Sequence, residues 1–239
     1  MMADAIIRLF GKDKMRRLPV YLLIDTSGSM KGAPIEAVNK GLIVLVKALQ
    51  DNPDMVEKAY LSIFSFDRDV KEVLPLTEVD GLDEIPALVT PEFSPTHMGR
   101  ALEALIEKVN NGGVIRNTKD VAGDYKPLLF VITDGKPSDL EQYKKMTQKI
   151  KECKFAIIVA CAAGPKAKTE PLKLLTENVC VLANMDEKSF ADFFICVSQS
   201  IPTNEWDFDP DTELPPDVST LKPDPAPGPT PTFDEDEGE

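Results

Sequence analysis

A single histidine, His97, serves the whole 239-residue chain. A serine hydrolase would need it as its base, yet it sits directly after Thr96 where a helix-like pattern begins, and reads as a partly exposed helix-start residue. The four cysteines (Cys153, Cys161, Cys180 and Cys196) contain no Cys-x-x-Cys pair. With one histidine, that argues against a structural zinc site. Three of the cysteines lie in apolar stretches and read as reduced core thiols, which points to a cytoplasmic protein. No apolar run approaches the roughly 20 residues needed to cross a bilayer. The first fourteen residues lack the charged, apolar and small regions of a signal peptide. Positive charge is also short: 27 Lys and Arg face 40 Asp and Glu, for a net charge of −13. Nucleic-acid binding by the electrostatic route is therefore disfavoured. Neither a Gly-x-Gly-x-x-Gly turn after the first strand nor a Walker phosphate loop is present.

What charge there is lies unevenly. From Thr203 onward twelve acids face one base, Lys222, so that segment carries −11 and residues 1–202 carry −2. The same segment holds eight prolines and almost no periodic apolar residues. It cannot bury enough surface to offset its ordering entropy, and reads as an acidic, Pro-rich, disordered tail. The chain divides into an N-terminal extension (1–15), one domain (16–201) and the tail (202–239).

Within the domain, strand and helix patterns alternate. Leu18 to Ile24 is continuously apolar, as suits a strand buried on both faces. Ile35, Val38, Leu42, Leu45, Val46 and Leu49 form a helical stripe. Tyr60 to Phe66 reads as a strand that turns through Asp67-Arg68-Asp69 into a short antiparallel edge strand, Val70 to Leu74, stopped by Pro75. A Pro-rich loop follows, and then a helix carrying Leu102, Leu105, Ile106 and Val109, ended by Asn111-Gly112-Gly113. Pro127 to Thr133 is a second buried strand. Ser138 and Glu141 have the spacing of a capping box for a helix carrying Leu140, Tyr143, Met146 and Ile150. Strands at Phe155–Cys161 and Val179–Leu182 follow, with a short helix between them and a final helix from about Asp186. The order predicts an α/β, doubly wound, mostly parallel sheet with one antiparallel edge strand and helices on both faces. The site of such a fold lies at the carboxyl ends of its strands.

Those ends carry the informative residues. Asp25-Thr26-Ser27-Gly28-Ser29 leaves the first buried strand, and Thr133-Asp134-Gly135 leaves the second. On a turn above a strand end, Asp25, Ser27 and Ser29 can converge on one point. One carboxylate and two hydroxyls make a hard-oxygen set, suited to Mg2+ or Mn2+ and poor for zinc. Asp-x-Ser-x-Ser alone could equally be a helix cap or an Asx turn. Its place after an apolar strand, with a second strand ending in Thr-Asp-Gly, favours the metal reading.

Ile24 to Met30, Ser94-Pro95-Thr96 and Thr133-Asp134-Gly135 together resemble the metal-ion-dependent adhesion site of a von Willebrand factor A domain. The resemblance covers about Arg16 to Ser200. It implies that Ser27, Ser29 and Thr96 coordinate a metal directly, and that Asp25 and Asp134 hold it largely through bound waters. A partner protein's Asp or Glu would then complete the shell, which is binding chemistry and not catalysis. Arg16 to Leu23, Pro127 to Phe130 and Ala160 to Glu170 further resemble the TerY type of the family, which is associated with tellurium resistance. That type implies a role in tellurium resistance or a related stress or phage-defence system, with a PP2C-like phosphatase and a protein kinase as partners. The N-terminal extension and the acidic tail lie outside the family pattern. One tail carboxylate reaching and masking a metal site is a reading the composition allows.

Two rival readings stand beside this one. A metal-free structural A domain would keep the fold without the ion. A phosphoryl-transfer enzyme of the dehalogenase type would want Asp-x-Asp after the first strand, and Ser27 takes the place of its second acid.

Overall fold

The computed structural model describes residues 16–116, 123–165 and 167–200. The N-terminal extension, the acidic tail and Lys166 lie outside the described residues.

The apolar run leaving Arg17 forms strand β1 (Leu18–Asp25), buried along its whole length. Its side chains alternate between two layers. Leu18, Val20, Leu22 and Ile24 join one core, while Tyr21 and Leu23 join the other. This period of two explains why the run is continuously apolar: both faces are covered. Helices α1 (Ala33–Gln50) and α2 (Pro53–Val56) lead to β2 (Ala59–Phe66), which turns into β3 (Val70–Glu78). After a long loop come α3 (Met98–Lys108), β4 (Leu128–Thr133), α4 (Leu140–Lys149) and β5 (Ile157–Ala163). The short α5 (Thr169–Leu172), β6 (Val179–Leu182) and α6 (Glu187–Ser200) complete the described chain.

The six strands lie in the order β3-β2-β1-β4-β5-β6. All neighbours are parallel except β2 and β3, as the alternating pattern predicts. The first core holds the stripe of α1 against Phe190, Phe193, Phe194 and Val197 of α6. The second holds Met98, Ala101, Leu102 and Leu105 of α3 with Tyr143 and Met146 of α4. Each such fully buried side chain contributes about 1.5–3 kcal/mol. At Gly41 the two helices of the first layer come so close that a Cβ would lie 2.6 Å from the Phe194 ring.

Three local expectations change. The edge strand does not stop at Pro75 but runs on to Glu78. Its pairing with β2 slips near that proline, where Leu61 faces Thr77 and Ile63 faces Leu74. A bulge on an edge strand tolerates proline because no ladder hydrogen bond is lost there. The capping box at Ser138 does not form either. Asp139 occupies the cap position of α4, and the Ser138 hydroxyl instead accepts from the Thr96 backbone N–H at 3.2 Å. Leu140, expected on the apolar face of α4, is exposed, whereas Tyr143, Met146 and Ile150 are buried as expected. Just before β1, Arg16 and Arg17 anchor the strand entry, Arg16 donating to the Gly123 and Asp124 carbonyls. Arg17 forms a two-pronged ion pair with Asp124, at 2.9 and 2.7 Å, and Asp124 is almost fully buried.

Candidate metal centre

Strand order reverses between β2-β1 and β4-β5, so β1 and β4 feed loops in opposite directions and leave a crevice at their carboxyl ends. Asp25 is the last residue of β1 and is 0% exposed. Its Oδ1 accepts from the Ser27 backbone N–H at 2.8 Å, closing an Asx turn. Its Oδ2 accepts from the Thr133 hydroxyl at 2.5 Å. Burial pushes the Asp25 carboxyl up to about 6. The Thr133 and Ser27 hydrogen bonds oppose that push, and the nearby charge of Asp134 adds to it.

From Asp25 the oxygens continue outward. Ser27 is buried, and its Oγ lies 3.2 Å from Ser29 Oγ. Ser29 is exposed and donates to Asp134 Oδ1 at 2.8 Å. Asp134, half-buried just beyond β4, also has its pKa raised by burial, against the Ser29 hydrogen bond. Among the described residues neither carboxylate has a basic side chain at ion-pair distance. Buried negative charge of this kind calls for a positive partner.

Thr96 reaches the same rim from the loop before α3. Its hydroxyl lies over Gly135, where an added Cβ would come within 3.2 Å of it. Two backbone bonds hold Thr96 to Ser138: the Thr96 N–H donates to the Ser138 hydroxyl, and the Ser138 N–H donates to the Thr96 carbonyl at 2.8 Å. Ser94 steadies the preceding turn, accepting from Gly28 N–H at 3.2 Å through its carbonyl and from Arg68 N–H at 3.0 Å through its hydroxyl. Asp67 braces the other flank. Its carbonyl accepts from His97 N–H at 2.9 Å and its carboxylate from the Thr26 hydroxyl at 3.4 Å. Asp139 caps α3 from outside the helix, accepting from Gly99 and Arg100 N–H at 3.1 and 2.9 Å.

The structure thus brings Asp25, Ser27, Ser29, Thr96 and Asp134 onto one rim. Thr133, Ser138, Asp139 and Asp67 position them; the sequence reading places Thr133 in the strand-end motif, Asp67 in a turn and Ser138 in a capping box, and gives none of the four a part in holding the rim. None carries a local signal, since each acts across the fold. His97 Nδ1 lies 3.1 Å from the Arg68 carbonyl, which fixes the orientation of its ring. Among the described residues no three His, Cys, Asp or Glu side chains gather into a group that could hold a metal ion. The rim offers two carboxylates and three hydroxyls instead. Beside it lies a groove of about 610 Å³ lined by Thr26, Asp67, Arg68, Val89, Phe93 and Ser94 among others. Val89 and Phe93 are 76% and 88% exposed there. Among the described residues no helix is long and apolar enough to cross a membrane.

The sequence model of the von Willebrand factor type A domain matches residues 20–194. No curated protein is similar enough in sequence to match. Several solved structures share the fold. Proximal thread matrix protein 1 from the mussel byssus aligns with a TM-score of 0.59 and 16% identity, covering 77% of this chain and 47% of that one. The same mussel protein with a zinc-occupied MIDAS motif aligns at 0.57, with 16% identity and the same coverage. The pilus adhesin SpaC from Lactobacillus rhamnosus GG, in an open conformation, aligns at 0.59 with 11% identity, covering 78% of this chain and 30% of that one. This chain therefore spans less than half the length of these proteins.

Proposed function

Because the chain belongs to the von Willebrand factor type A domain family, a fold typical of non-catalytic adhesion and structural modules, we propose that it is a protein-interaction module whose rim holds Mg2+ or Mn2+. The observation that carries this reading is the gathering of two carboxylates and three hydroxyls at one strand-end crevice, with no basic side chain at ion-pair distance among the described residues. A hard-oxygen set of this composition suits a small divalent cation. Ser27, Ser29 and Thr96 would hold the ion through their hydroxyls. Asp25 and Asp134 would stand behind them, neutralising its charge. The ion would supply a positive charge at the rim to which a partner's Asp or Glu binds. The zinc-occupied motif of the mussel protein supports the idea that this fold carries a cation there.

The residues themselves do the positioning. Thr133 and Ser27 N–H fix the Asp25 carboxylate. Ser138 fixes the height of Thr96 above Gly135. Exposed Phe93 and Val89 offer apolar contact beside the charged rim, and aromatic residues are enriched in protein interfaces.

The finer assignment rests on the likeness of Arg16 to Leu23, Pro127 to Phe130 and Ala160 to Glu170 to the TerY type. On that basis the module would serve a tellurium-resistance, stress or phage-defence system, with a PP2C-like phosphatase and a kinase among its partners. A pull-down with and without chelator addresses that assignment.

A metal-free scaffold is the second reading. It is favoured by the way the rim groups already satisfy one another, Ser29 with Asp134 and Thr133 with Asp25, and by the lack of a carboxylate-rich cluster among the described residues. Titrating Mg2+ and Mn2+ into the wild type and Asp25→Ala by calorimetry separates the two. Binding by the wild type alone supports the metal centre. No binding, or equal binding by both, leaves the scaffold.

A further inference from the structure

The register of the last two strands places Cys161 of β5 directly beside Cys180 of β6. Both side chains join the core layer covered by α6. We propose that Cys161 and Cys180 form a reactive dithiol that a hydroperoxide converts into a cross-strand disulfide. This site is separate from the rim and does not depend on the metal reading.

Geometry comes first. Neighbours in register on adjacent strands lie about 5 Å apart at Cα, within the span a disulfide bridges. The two thiols neighbour each other in that layer, and the pairing raises the Cys161 thiol and lowers that of Cys180. Cys153 packs in the other core layer and has no route to them. Cys196 comes from α6 on the same side, where it is the competing partner.

The two sulfurs are not equivalent. Cys161 is 0% exposed, and burial, with Cys180 beside it, pushes its thiol well up. Cys180 lies on the four-residue edge strand, is 9% exposed, and is lowered by its Cys161 neighbour. The thiolate is the nucleophile, so Cys180 reacts first. Its sulfur attacks one peroxide oxygen, the O–O bond breaks, and hydroxide leaves, giving a sulfenic acid. The Cys161 proton passes to that hydroxide. The Cys161 sulfur then attacks the sulfenic sulfur, the S–O bond breaks, and the oxygen leaves as a second water once it takes up the remaining proton. Two thiols and one hydrogen peroxide become one disulfide and two waters. The bridge would tie the edge strand β6 covalently to β5.

The test treats the full chain with hydrogen peroxide, blocks free thiols at acid pH, and maps unreduced tryptic peptides by mass spectrometry. Trypsin cuts after Lys166, Lys173 and Lys188, which separates the three cysteines. The expected result is a loss of about 2 Da, a Cys161–Cys180 linked peptide, and full reversal by dithiothreitol. Cys196→Ser should leave the bridge in place. Cys180→Ala should slow oxidation at Cys161 by about tenfold or more. A dominant bridge to Cys196 overturns the proposal. So does sulfinic acid without a bridge, or folded-state thiols that stay unreacted when those of the urea-unfolded chain oxidise. The wild-type map decides even if a variant fails to fold.

Discussion

The Thr133 hydroxyl donates to Asp25 Oδ2 at 2.5 Å, joining the ends of two strands 108 residues apart in sequence. Its own Oγ1 also accepts from Gly135 N–H at 3.2 Å, so one hydroxyl links both loops of the rim. Thr133→Val keeps the shape and removes both bonds. We expect it to lower stability in urea by about 1–3 kcal/mol, since a buried carboxylate loses one of its two partners. Thr133→Ser should stay close to wild type. Equal stability of the Val variant and the wild type would show that this bond does not hold the rim.

Asp25 is held against its own solvation. For an acid whose folded pKa is raised, the stabilising contribution is fully present below the ordinary value near 3.8 and is lost as pH rises through about 6. Two units correspond to about 3 kcal/mol. In chelator at neutral pH, Asp25→Asn should therefore melt no lower than wild type, because it removes a costly buried charge while its amide oxygen still accepts from Ser27. In Mg2+ the order should reverse. At about a hundredfold excess over Kd, the wild type would gain roughly 2.7 kcal/mol that the variant lacks. Paired thermal melts check this, and identical Mg2+ gains in both proteins would sink it.

The strands that carry the site are legible because they are buried on both faces, so β1 and β4 read as unbroken apolar runs. Asp25, Ser27 and Ser29 are legible for a local reason: they recur at every second position just where such a run ends. The supporting residues are not. Ser138 sits 42 residues from the Thr96 N–H it accepts from, and Asp139 caps a helix 40 residues upstream. The same tertiary demand explains the failed capping box, since Ser138 cannot serve Thr96 and its own helix together. Pro75 misled for a different reason. The strand reads as an edge in the sequence, but an edge with a slipped register carries a proline inside it, and the sequence does not mark the slip.

Gly135 tests the height of Thr96. An added Cβ would stand 3.2 Å from Thr96 Oγ1, and Thr96 has little room to retreat because both its backbone groups are tied to Ser138. Gly135→Ala should displace the hydroxyl by a few tenths of an ångström. That shift uses up most of the roughly 0.5 Å within which a binding geometry must be held, so Mg2+ affinity should fall by about severalfold while the fold loses no more than about 1 kcal/mol. Calorimetry and urea denaturation on the same sample separate the two effects. An unchanged affinity would mean that Thr96 contributes no ligand.

Phe93 makes the complementary case, a residue that should matter for the partner and not for the ion. It is 88% exposed, and its backbone packs against Gly28 of the Asp-x-Ser-x-Ser loop, where a Cβ would lie 3.6 Å from Phe93 Cα. An exposed aromatic so close to a charged rim has no core to stabilise, so Phe93→Ala should leave thermal stability within about 0.5 kcal/mol. A metal ligand supplies charge but little apolar area, so Mg2+ affinity should not change either. Aromatic anchors at interface centres carry about 2 kcal/mol or more when truncated. Binding to the protein captured in a metal-dependent pull-down should therefore weaken by about tenfold or more. Asp25→Ala would abolish both ion and partner binding, whereas Phe93→Ala would reduce partner binding alone. Full partner affinity in Phe93→Ala would move the interface away from this groove while leaving the metal centre in place.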